Sequence, residues 1–373
     1  DASPMRLFVP FASEAALVRG KLVDRLDRFV AVVKLDGEES PVRAHCINPG
    51  RMEGFVCEGA TVWLQPNDDE KRSTKYTWEV IESGEGVLCS TNTRRPNDVV
   101  KALIEARSLP GLDSYVEYRA EKGIPGTRSR CDFWLRESDG SEHWVEVKNC
   151  HAVYAGEPLL EQYGYFPDSV TARGAKHCEE LSSLVSATTK CTVLLVAHRR
   201  DATRGVRVSS FHDPALAAAA REAHGRGVSF RAVRVDCGLD GSTVLDEIPV
   251  DLHSDDCLCH NEALARAVER LRPCTGWTRS FDGTPRRVAN GPFKHNLPSS
   301  KEPAATTKQK RKRRRGGSCE QEAEEEEESL GASPLSSSPY FATPPSTPVV
   351  SVVTPDAASP PPQRRRTSSR RKK

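Results

Sequence analysis

The chain has 373 residues, 37% of them apolar, which at roughly 150 residues per domain allows two globular domains and excludes a small disulfide-stapled module. The formal net charge is +2, but the last 73 residues carry 15 Lys and Arg against 9 Asp and Glu, so residues 1–300 are slightly acidic and any binding of a polyanion depends on local basic patches. No stretch reaches the roughly 18–20 uninterrupted apolar residues of a membrane span, so we predict a protein without membrane contacts.

Residues 16–91 contain short β-branched runs separated by turn residues such as Asp36-Gly37 and Asn48-Pro49-Gly50. The predicted strands are Ala16–Val23, Arg28–Leu35, Pro41–Cys46, Ala60–Gln65, Tyr76–Glu82 and Val87–Thr91. Five or six strands in about 75 residues predict a small barrel, and an OB-like Greek-key barrel is one solution of that size.

Residues 92–111 predict a linker helix that ends at Pro110-Gly111. Strand and helix patterns then alternate over residues 112–252, as expected of an α/β sheet flanked by helices. The predicted elements are a hairpin of Ser129–Arg136 and His143–Lys148, a helix over Asp168–Val185, a buried strand over Cys191–Ala197, a helix over Pro214–His224 and a strand over Val228–Val235. Residues 261–272 predict a further helix.

The hairpin carries the candidate chemistry. Because side chains alternate along a strand, Asp132 can share one sheet face with Glu146 and Lys148 while the valines face the core. Two carboxylates can hold Mg²⁺, and a lysine can orient the attacking water of a phosphodiester hydrolysis. Glu117, on the preceding strand, is a candidate third metal ligand. The alternative is a solvated face with a weak cross-strand ion pair.

The predicted helix over residues 168–185 adds a polar stripe beside this site. Arg173, Lys176 and His177 lie at helical spacing, opposite apolar residues such as Leu181. Cations on a helix packed against the Glu-x-Lys strand can neutralise phosphate. Alternatively, they form an ordinary solvent face.

Four motifs in register resemble the sugar fermentation stimulation protein A (SfsA) family over about residues 16–252. The motifs are His45-Cys46-Ile47-Asn48-Pro49-Gly50-Arg51-Met52, Arg128-Ser129-Arg130-Cys131-Asp132-Phe133, Val145-Glu146-Val147-Lys148, and Tyr165-Phe166-Pro167-Asp168-Ser169-Val170-Thr171 followed by Arg173-Gly174 and Lys176-His177. The resemblance implies an α+β protein in which an N-terminal OB-like β-barrel precedes a PD-(D/E)xK nuclease-like α/β domain. It also implies that Asp132, Glu146 and Lys148 form the nuclease-like site, and that the protein binds DNA.

Two functional hypotheses follow. The first is a DNA-binding, regulatory protein without strong sequence preference; the second is a Mg²⁺-dependent nuclease. The candidate DNA contacts are Asn48, Arg51, Arg173, Lys176 and His177. Trp63 and Trp78 of the barrel can either stack on bases or fill the barrel interior. The sequence does not reveal the oligomeric state.

Residues 253–300 predict a weakly structured extension, and residues 301–373 a disordered tail. The tail has two basic runs, 308–315 and 364–373, and six Ser/Thr-Pro pairs. These predict an intracellular protein with contacts to nuclear import receptors and proline-directed kinases, and a nuclear location. The chain begins at Asp1, so a preceding targeting peptide stays an open alternative. The scattered cysteines predict buried thiols rather than disulfides or a zinc site.

Overall fold

The structure, a computed structural model, describes residues 6–11, 16–26, 29–52, 55–253, 258–271, 277–279 and 285–287. The predicted tail and most of the predicted extension lie outside these residues. Strand β1 (Leu7–Pro10) is the first described element, and it belongs to a large sheet rather than to the barrel that follows it. In the described part of the chain, no helix is both long enough and apolar enough to span a membrane.

All six strands predicted in residues 16–91 are present. They are β2 (Val18–Arg25), β3 (Val30–Leu35), β4 (Val42–His45), β5 (Thr61–Pro66), β6 (Tyr76–Glu82) and β7 (Leu88–Ser90). Their order is β4-β3-β2-β5-β6-β7, and a parallel pairing of β4 with β6 closes the barrel. Trp78 is fully buried in the barrel core and donates its indole N–H to Val80, so this tryptophan fills the interior.

The second domain is built on a seven-stranded sheet of order β1-β15-β14-β12-β10-β9-β8. Its further strands are β8 (Tyr115–Gly123), β9 (Arg130–Glu137), β10 (Glu142–Cys150), β12 (Thr189–Ala197), β14 (Ser229–Cys237) and β15 (Gly241–Ile248). The central strands β10, β12 and β14 are parallel. Residues 191–197 of β12 are all buried, as their continuous apolar run predicts for a parallel strand covered on both faces.

Helices cover both faces of the large sheet. They are α1 (Arg95–Glu105), α2 (Ala172–Leu184) and α3 (Pro214–Gly225), with α4 (Leu258–Arg270) further along the chain. Helix α1 packs Val99, Leu103 and Ile104 into the core cluster that contains β1, so it is part of this domain's core and more than a linker. Helices α2 and α3 contribute to the core cluster that contains Trp134 and Trp144.

Two smaller sheets complete the described structure. A three-stranded parallel sheet consists of β11 (Tyr163–Phe166), β13 (Gly205–Val208) and β16 (Val250–Asp251). Strands β17 (Trp277–Arg279) and β18 (Pro285–Arg287) form an antiparallel pair.

A buried polar cluster joins the barrel to the second domain. Glu79 of β6 accepts a hydrogen bond from Asn92 at 2.8 Å and forms a salt bridge with Arg95 of α1 at 3.2 Å. Both carboxylate oxygens of Glu79 are thereby satisfied, as a buried charge requires. The barrel is therefore fixed to the first turn of α1.

The predicted state of the cysteines is confirmed in part. Seven described cysteines are free and buried. Cys57 and Cys259, in contrast, are disulfide-bonded, so the prediction of buried thiols is wrong for these two. Cys57 stands alone in the sequence and Cys259 lies two residues after Cys257, a spacing that does not identify a disulfide partner.

Candidate active site

The structure brings Asp132, Glu146 and Lys148 to one cleft between the barrel and the large sheet. The pairing of β9 with β10 ends at Phe133 and Val145. Two residues further along β10, the backbone N–H of Val147 donates to Asp132 Oδ2 at 2.7 Å. The carboxylate of Asp132 thus accepts an N–H group of β10 at the point where that pairing stops.

Asp132 is a partly buried carboxyl with an unusual proton affinity. Its second oxygen, Oδ1, accepts from Asn97 Nδ2 of α1 at 2.8 Å. Burial and the neighbouring Glu146 carboxylate raise the pKa of Asp132 to about 6, although the two hydrogen bonds and Lys148 act in the opposite direction. A carboxyl whose charge is this costly is one that a bound cation would stabilise.

Glu146 is 3% exposed and lies between two donors. Its Oε1 is 2.5 Å from Lys148 Nζ and also contacts His177 Nδ1. Burial favours the neutral acid, but the hydrogen bond from His177 and the charge of Lys148 prevail and lower the pKa of Glu146 below its ordinary value. Its other oxygen, Oε2, is buried with no hydrogen-bond partner.

His177 supports Glu146 and faces away from solvent. It is 3% exposed, and its Nε2 accepts from Arg173 Nε at 3.3 Å. Arginine has only donors, so Nε2 must be the acceptor and Nδ1 must carry the proton that it donates to Glu146. Both ring nitrogens are therefore engaged by protein groups.

The cleft has a volume of about 550 Å³, and a barrel loop forms one of its sides. Residues 48–51 of this loop line it, opposite Asp132, Glu146 and Lys148 and beside residues 166–174. Asp168 anchors the loop, since its Oδ2 accepts from the backbone N–H of Met52 at 2.9 Å and lies 3.3 Å from His151 Nε2.

Gly50 sits at the closest approach of the loop to Asp168. A Cβ on Gly50 would lie 2.8 Å from Asp168 Oδ2 and 2.9 Å from Asn48 Oδ1, which no side chain tolerates without movement. Asn48 Oδ1 accepts the N–H of Gly50 at 2.8 Å, and Arg25 donates to the carbonyl groups of Asn48 and Gly50. The loop is held from both domains.

Some of the candidate DNA contacts are buried and others are exposed to solvent. Asn48 and Arg51 are each 3% exposed, so they line the cleft from within the folded loop. Arg173 and Lys176 are exposed on α2, which begins at Ala172 rather than at the predicted Asp168. Helix α2 starts there because the side chain of Thr171 caps it by accepting from the N–H of Gly174.

Glu117 is not brought to this cleft. It lies on β8, where it pairs with Arg119 and Arg136, and these two hydrogen-bonded partners lower its pKa. Its register opposite Arg136 places it near the other end of β9 from Asp132. We therefore leave Glu117 out of the candidate metal site.

Sequence reasoning missed three residues of the cleft: Asn97, His151 and Asp168. Asp168 belongs to one of the family motifs, but the sequence pattern places it at the start of the predicted helix, whereas α2 begins at Ala172. Asn97 and His151 come from separate elements that only the fold brings to the cleft. No spacing within the sequence signals their role.

Asp132→Asn is expected to stabilise the folded protein at about pH 8 by about 3 kcal/mol, because the wild-type carboxyl has a folded-state pKa of about 6 against an ordinary value of 3.8. A raised carboxyl pKa favours the protonated folded state, so ionisation costs stability as pH rises from about 4 to 6. If the side chain of Asn97 turns, the introduced amide retains both hydrogen bonds.

Urea unfolding of both proteins in EDTA would measure this difference. The stabilisation should be smaller at about pH 5 than at about pH 8, because the wild-type carboxyl is largely protonated there. If Asp132→Asn instead lowers the stability by the same amount at both pH values, the raised pKa of Asp132 is contradicted.

Comparison with known families matches both domains. The model described as "SfsA N-terminal OB domain" matches residues 23–90, and the model described as "Sugar fermentation stimulation protein RE domain" matches residues 94–241. Together they cover more than half of the chain. The chain belongs to the sugar fermentation stimulation protein (SfsA) family.

Individual SfsA relatives align over the described domains. The homologue from Dinoroseobacter shibae is 38% identical over 238 residues, covering 64% of this chain and 95% of the relative. The homologue from Shewanella halifaxensis is 33% identical over 239 residues, covering 64% and 98%. The solved structure of Pyrococcus furiosus SfsA in complex with Ca²⁺ has a TM-score of 0.56 and 25% identity, and covers 65% of this chain and 97% of that chain. The predicted family and fold class, an OB-like barrel followed by a nuclease-like α/β domain, are confirmed.

Proposed function

We propose that this SfsA-family protein hydrolyses phosphodiester bonds of DNA with a divalent metal ion bound at Asp132 and Glu146. The observation that carries the proposal is the buried Glu146 Oε2, which has no hydrogen-bond partner and belongs to the same cleft as Asp132 and Lys148. A buried oxygen acceptor without a partner is costly unless a ligand satisfies it. A metal ion is such a ligand.

The residues present fit a hard cation such as Mg²⁺. Asp132 and Glu146 offer oxygen ligands only, and Mg²⁺ typically binds one or two carboxylates together with water and substrate phosphate. Among the described residues, no group of three or more His, Cys, Asp or Glu is placed to hold a metal, which disfavours a zinc site. The Pyrococcus furiosus relative was solved with Ca²⁺, another cation that prefers oxygen ligands.

The bound metal would supply charge neutralisation at the phosphate and a more acidic water. The side chains of the protein hold the reacting groups in place. Lys148, 17% exposed and ion-paired with Glu146, can orient the attacking water or stabilise charge on the phosphorane. His177 holds Glu146 in place, and the asparagine amide of Asn97 holds Asp132.

The direct test uses the full chain with linear, nicked and single-stranded DNA in Mg²⁺, Mn²⁺ or EDTA, with cleavage and gel shift measured in parallel. Cleavage that requires the metal supports the proposal. Binding without cleavage in every metal would contradict hydrolysis and leave the second candidate function.

That second candidate is DNA binding without cleavage, favoured by the exposed cations of α2. Arg173→Ala combined with Lys176→Ala is expected to weaken binding to all sequences alike and to flatten the log–log salt dependence by about 0.9 per lost contact with duplex DNA. Titrations at several salt concentrations on two unrelated sequences would measure this. A loss confined to one sequence would indicate base recognition instead.

The C-terminal tail is proposed as a regulated basic arm that binds import receptors and directs the protein to the nucleus. Its two basic runs carry most of its charge, and phosphorylation of six Ser/Thr-Pro sites would add roughly −1.5 to −2 each. A fluorescent fusion of the full chain is expected to concentrate in the nucleus, whereas a fusion of residues 1–300 is not. The same distribution for both would contradict a targeting role.

A further inference from the structure

A second cavity, of about 360 Å³, adjoins the cleft and is lined mainly by cations. We call it the arginine cavity; its lining includes Arg128, Arg130, Arg173 and Lys176, with Glu121 as the one acidic residue. Arg128 and Arg130 belong to a family motif of the sequence, but they are not among the candidate DNA contacts. Arg173 and His177 line this cavity, and Arg173 also lines the cleft, so the two spaces are neighbours.

The guanidinium groups of this cavity have no carboxylate partners among the described residues. Within the part of the chain that the structure describes, Arg128 and Arg130 form no ion pair, and Arg173 donates only to His177. Elsewhere on the same hairpin, Arg119 and Arg136 are both paired with Glu117. Lys176, in contrast, lies 3.3 Å from Glu180 Oε1. The three guanidinium groups are therefore the like charges that repel one another without a paired carboxylate, so an anion bound among them would be stabilised.

The turn that presents the two arginines is firmly held. Ile124 is 3% exposed and packs in the core cluster with Trp134 and Leu181, and its N–H donates to the carbonyl of Ser129 at 3.0 Å. Ser129 Oγ in turn donates to Glu180 at 3.0 Å and accepts from Lys176 at 3.2 Å. Arg128 and Arg130 therefore project from a positioned turn.

We propose that the arginine cavity binds a phosphate group of the nucleic-acid strand that is cut in the cleft. This inference rests on the proposed function and identifies its substrate contact on the α2 side. The occupant lies close to the metal ligands, because Arg173 of the cavity contacts His177, which contacts Glu146. The phosphate comes either from the interior of the strand or from its end, where a monoester carries about −1.5 to −2 charges.

The test compares Arg128→Ala combined with Arg130→Ala against Arg119→Ala combined with Arg136→Ala. Both pairs remove two positive charges from one hairpin, but only the first lines the cavity. The probes are circular single-stranded DNA and linear strands with 5′-phosphate, 3′-phosphate or hydroxyl ends, bound in EDTA. At about 50 mM salt the first variant should bind roughly tenfold more weakly than wild type or the control, with a salt slope reduced by about 0.7 per lost contact.

The pattern across probes identifies the source of the phosphate. Equal losses on circular and linear DNA indicate an internal phosphate, whereas a loss confined to one phosphorylated end indicates a terminal one. Binding to every probe that equals the control overturns the proposal, even if the wild type cleaves DNA.

A second measurement separates this proposal from the proposed function. Inorganic phosphate in EDTA should raise the thermal midpoint of the wild type and the control variant relative to chloride at equal ionic strength, and should not raise that of the cavity variant. Such stabilisation without any DNA binding would retain the phosphate site and contradict the DNA-directed function. If the cavity variant and the control variant do not differ in either measurement, the phosphate site is overturned, and the proposed DNA hydrolysis is not affected by that result.

Discussion

Asp132→Asn and Lys148→Ala are each expected to lower the rate of metal-dependent DNA cleavage by at least about 10²–10³-fold while leaving most DNA binding intact. The first replaces a proposed metal ligand by a neutral amide. The second removes the ammonium group that lies 2.5 Å from Glu146 Oε1. Neither change touches the exposed cations of α2, so contacts with the phosphate backbone should persist. Single-turnover cleavage and gel shift on one labelled duplex would separate the two effects.

Matched controls are available elsewhere in the same sheet domain, in the β9–β10 turn and on β12. Asp139→Asn makes the same chemical change in the exposed hairpin turn, and Lys190→Ala removes a surface lysine paired with Glu137. Both controls should cleave at nearly the wild-type rate. Undiminished cleavage in Asp132→Asn and Lys148→Ala would show that the chemistry takes place elsewhere.

Asp168→Ala is expected to destabilise the folded protein by about 3–5 kcal/mol, because it removes one partner of a largely buried polar cluster. The side chain of Asp168 is 12% exposed, accepts from Met52 N–H and lies beside His151. Removing it leaves the Met52 N–H without its acceptor, takes the carboxylate away from His151 and releases the barrel loop. Asp36→Ala, which disrupts only an exposed pair with Arg19, should cost less than about 1 kcal/mol.

The effect of Asp168→Ala should also depend on pH. Burial opposes its ionisation, but interaction with His151 and the Met52 N–H lowers the pKa of Asp168 well below its ordinary value. The stability it contributes is present above the unfolded-state pKa of about 3.9 and is lost as pH falls toward the folded-state pKa. The deficit of the variant should therefore shrink below about pH 4. A deficit near zero at pH 7 would contradict the anchoring role.

Local patterns predicted the barrel and the core of the site because both depend on strand periodicity. The six barrel strands follow from β-branched runs and turns, and alternation placed Asp132, Glu146 and Lys148 on one face. The functions of these three residues stay a prediction until they are tested. Glu117 illustrates the limit of alternation: it is on a neighbouring strand, but register places it opposite Arg136 and away from Asp132.

The remaining features depend on contacts between distant segments. Sequence alone gave His177 the same expected role as Arg173, since both lie on the polar stripe of α2, yet His177 is buried against Glu146. Asp168 looked like the start of a helix, whereas it binds a backbone group 116 residues earlier in the chain. Strand β1 is only four residues long and gave no periodic signal.

The position of β1 has a consequence for how the two domains move and how they can be separated. Strand β1 belongs to the large sheet, the strands that follow it build the barrel, and the chain returns to the same domain through α1. The barrel is therefore an insertion tethered at both ends, which restricts hinge motion more than a single linker would. A fragment of residues 112–252 would lack both β1 and α1. It would expose the strand edge of β15 and the apolar sheet face that α1 covers, so we expect it to aggregate. Separating the two domains therefore requires two cuts in the chain, one on each side of the barrel, and a new connection between β1 and α1.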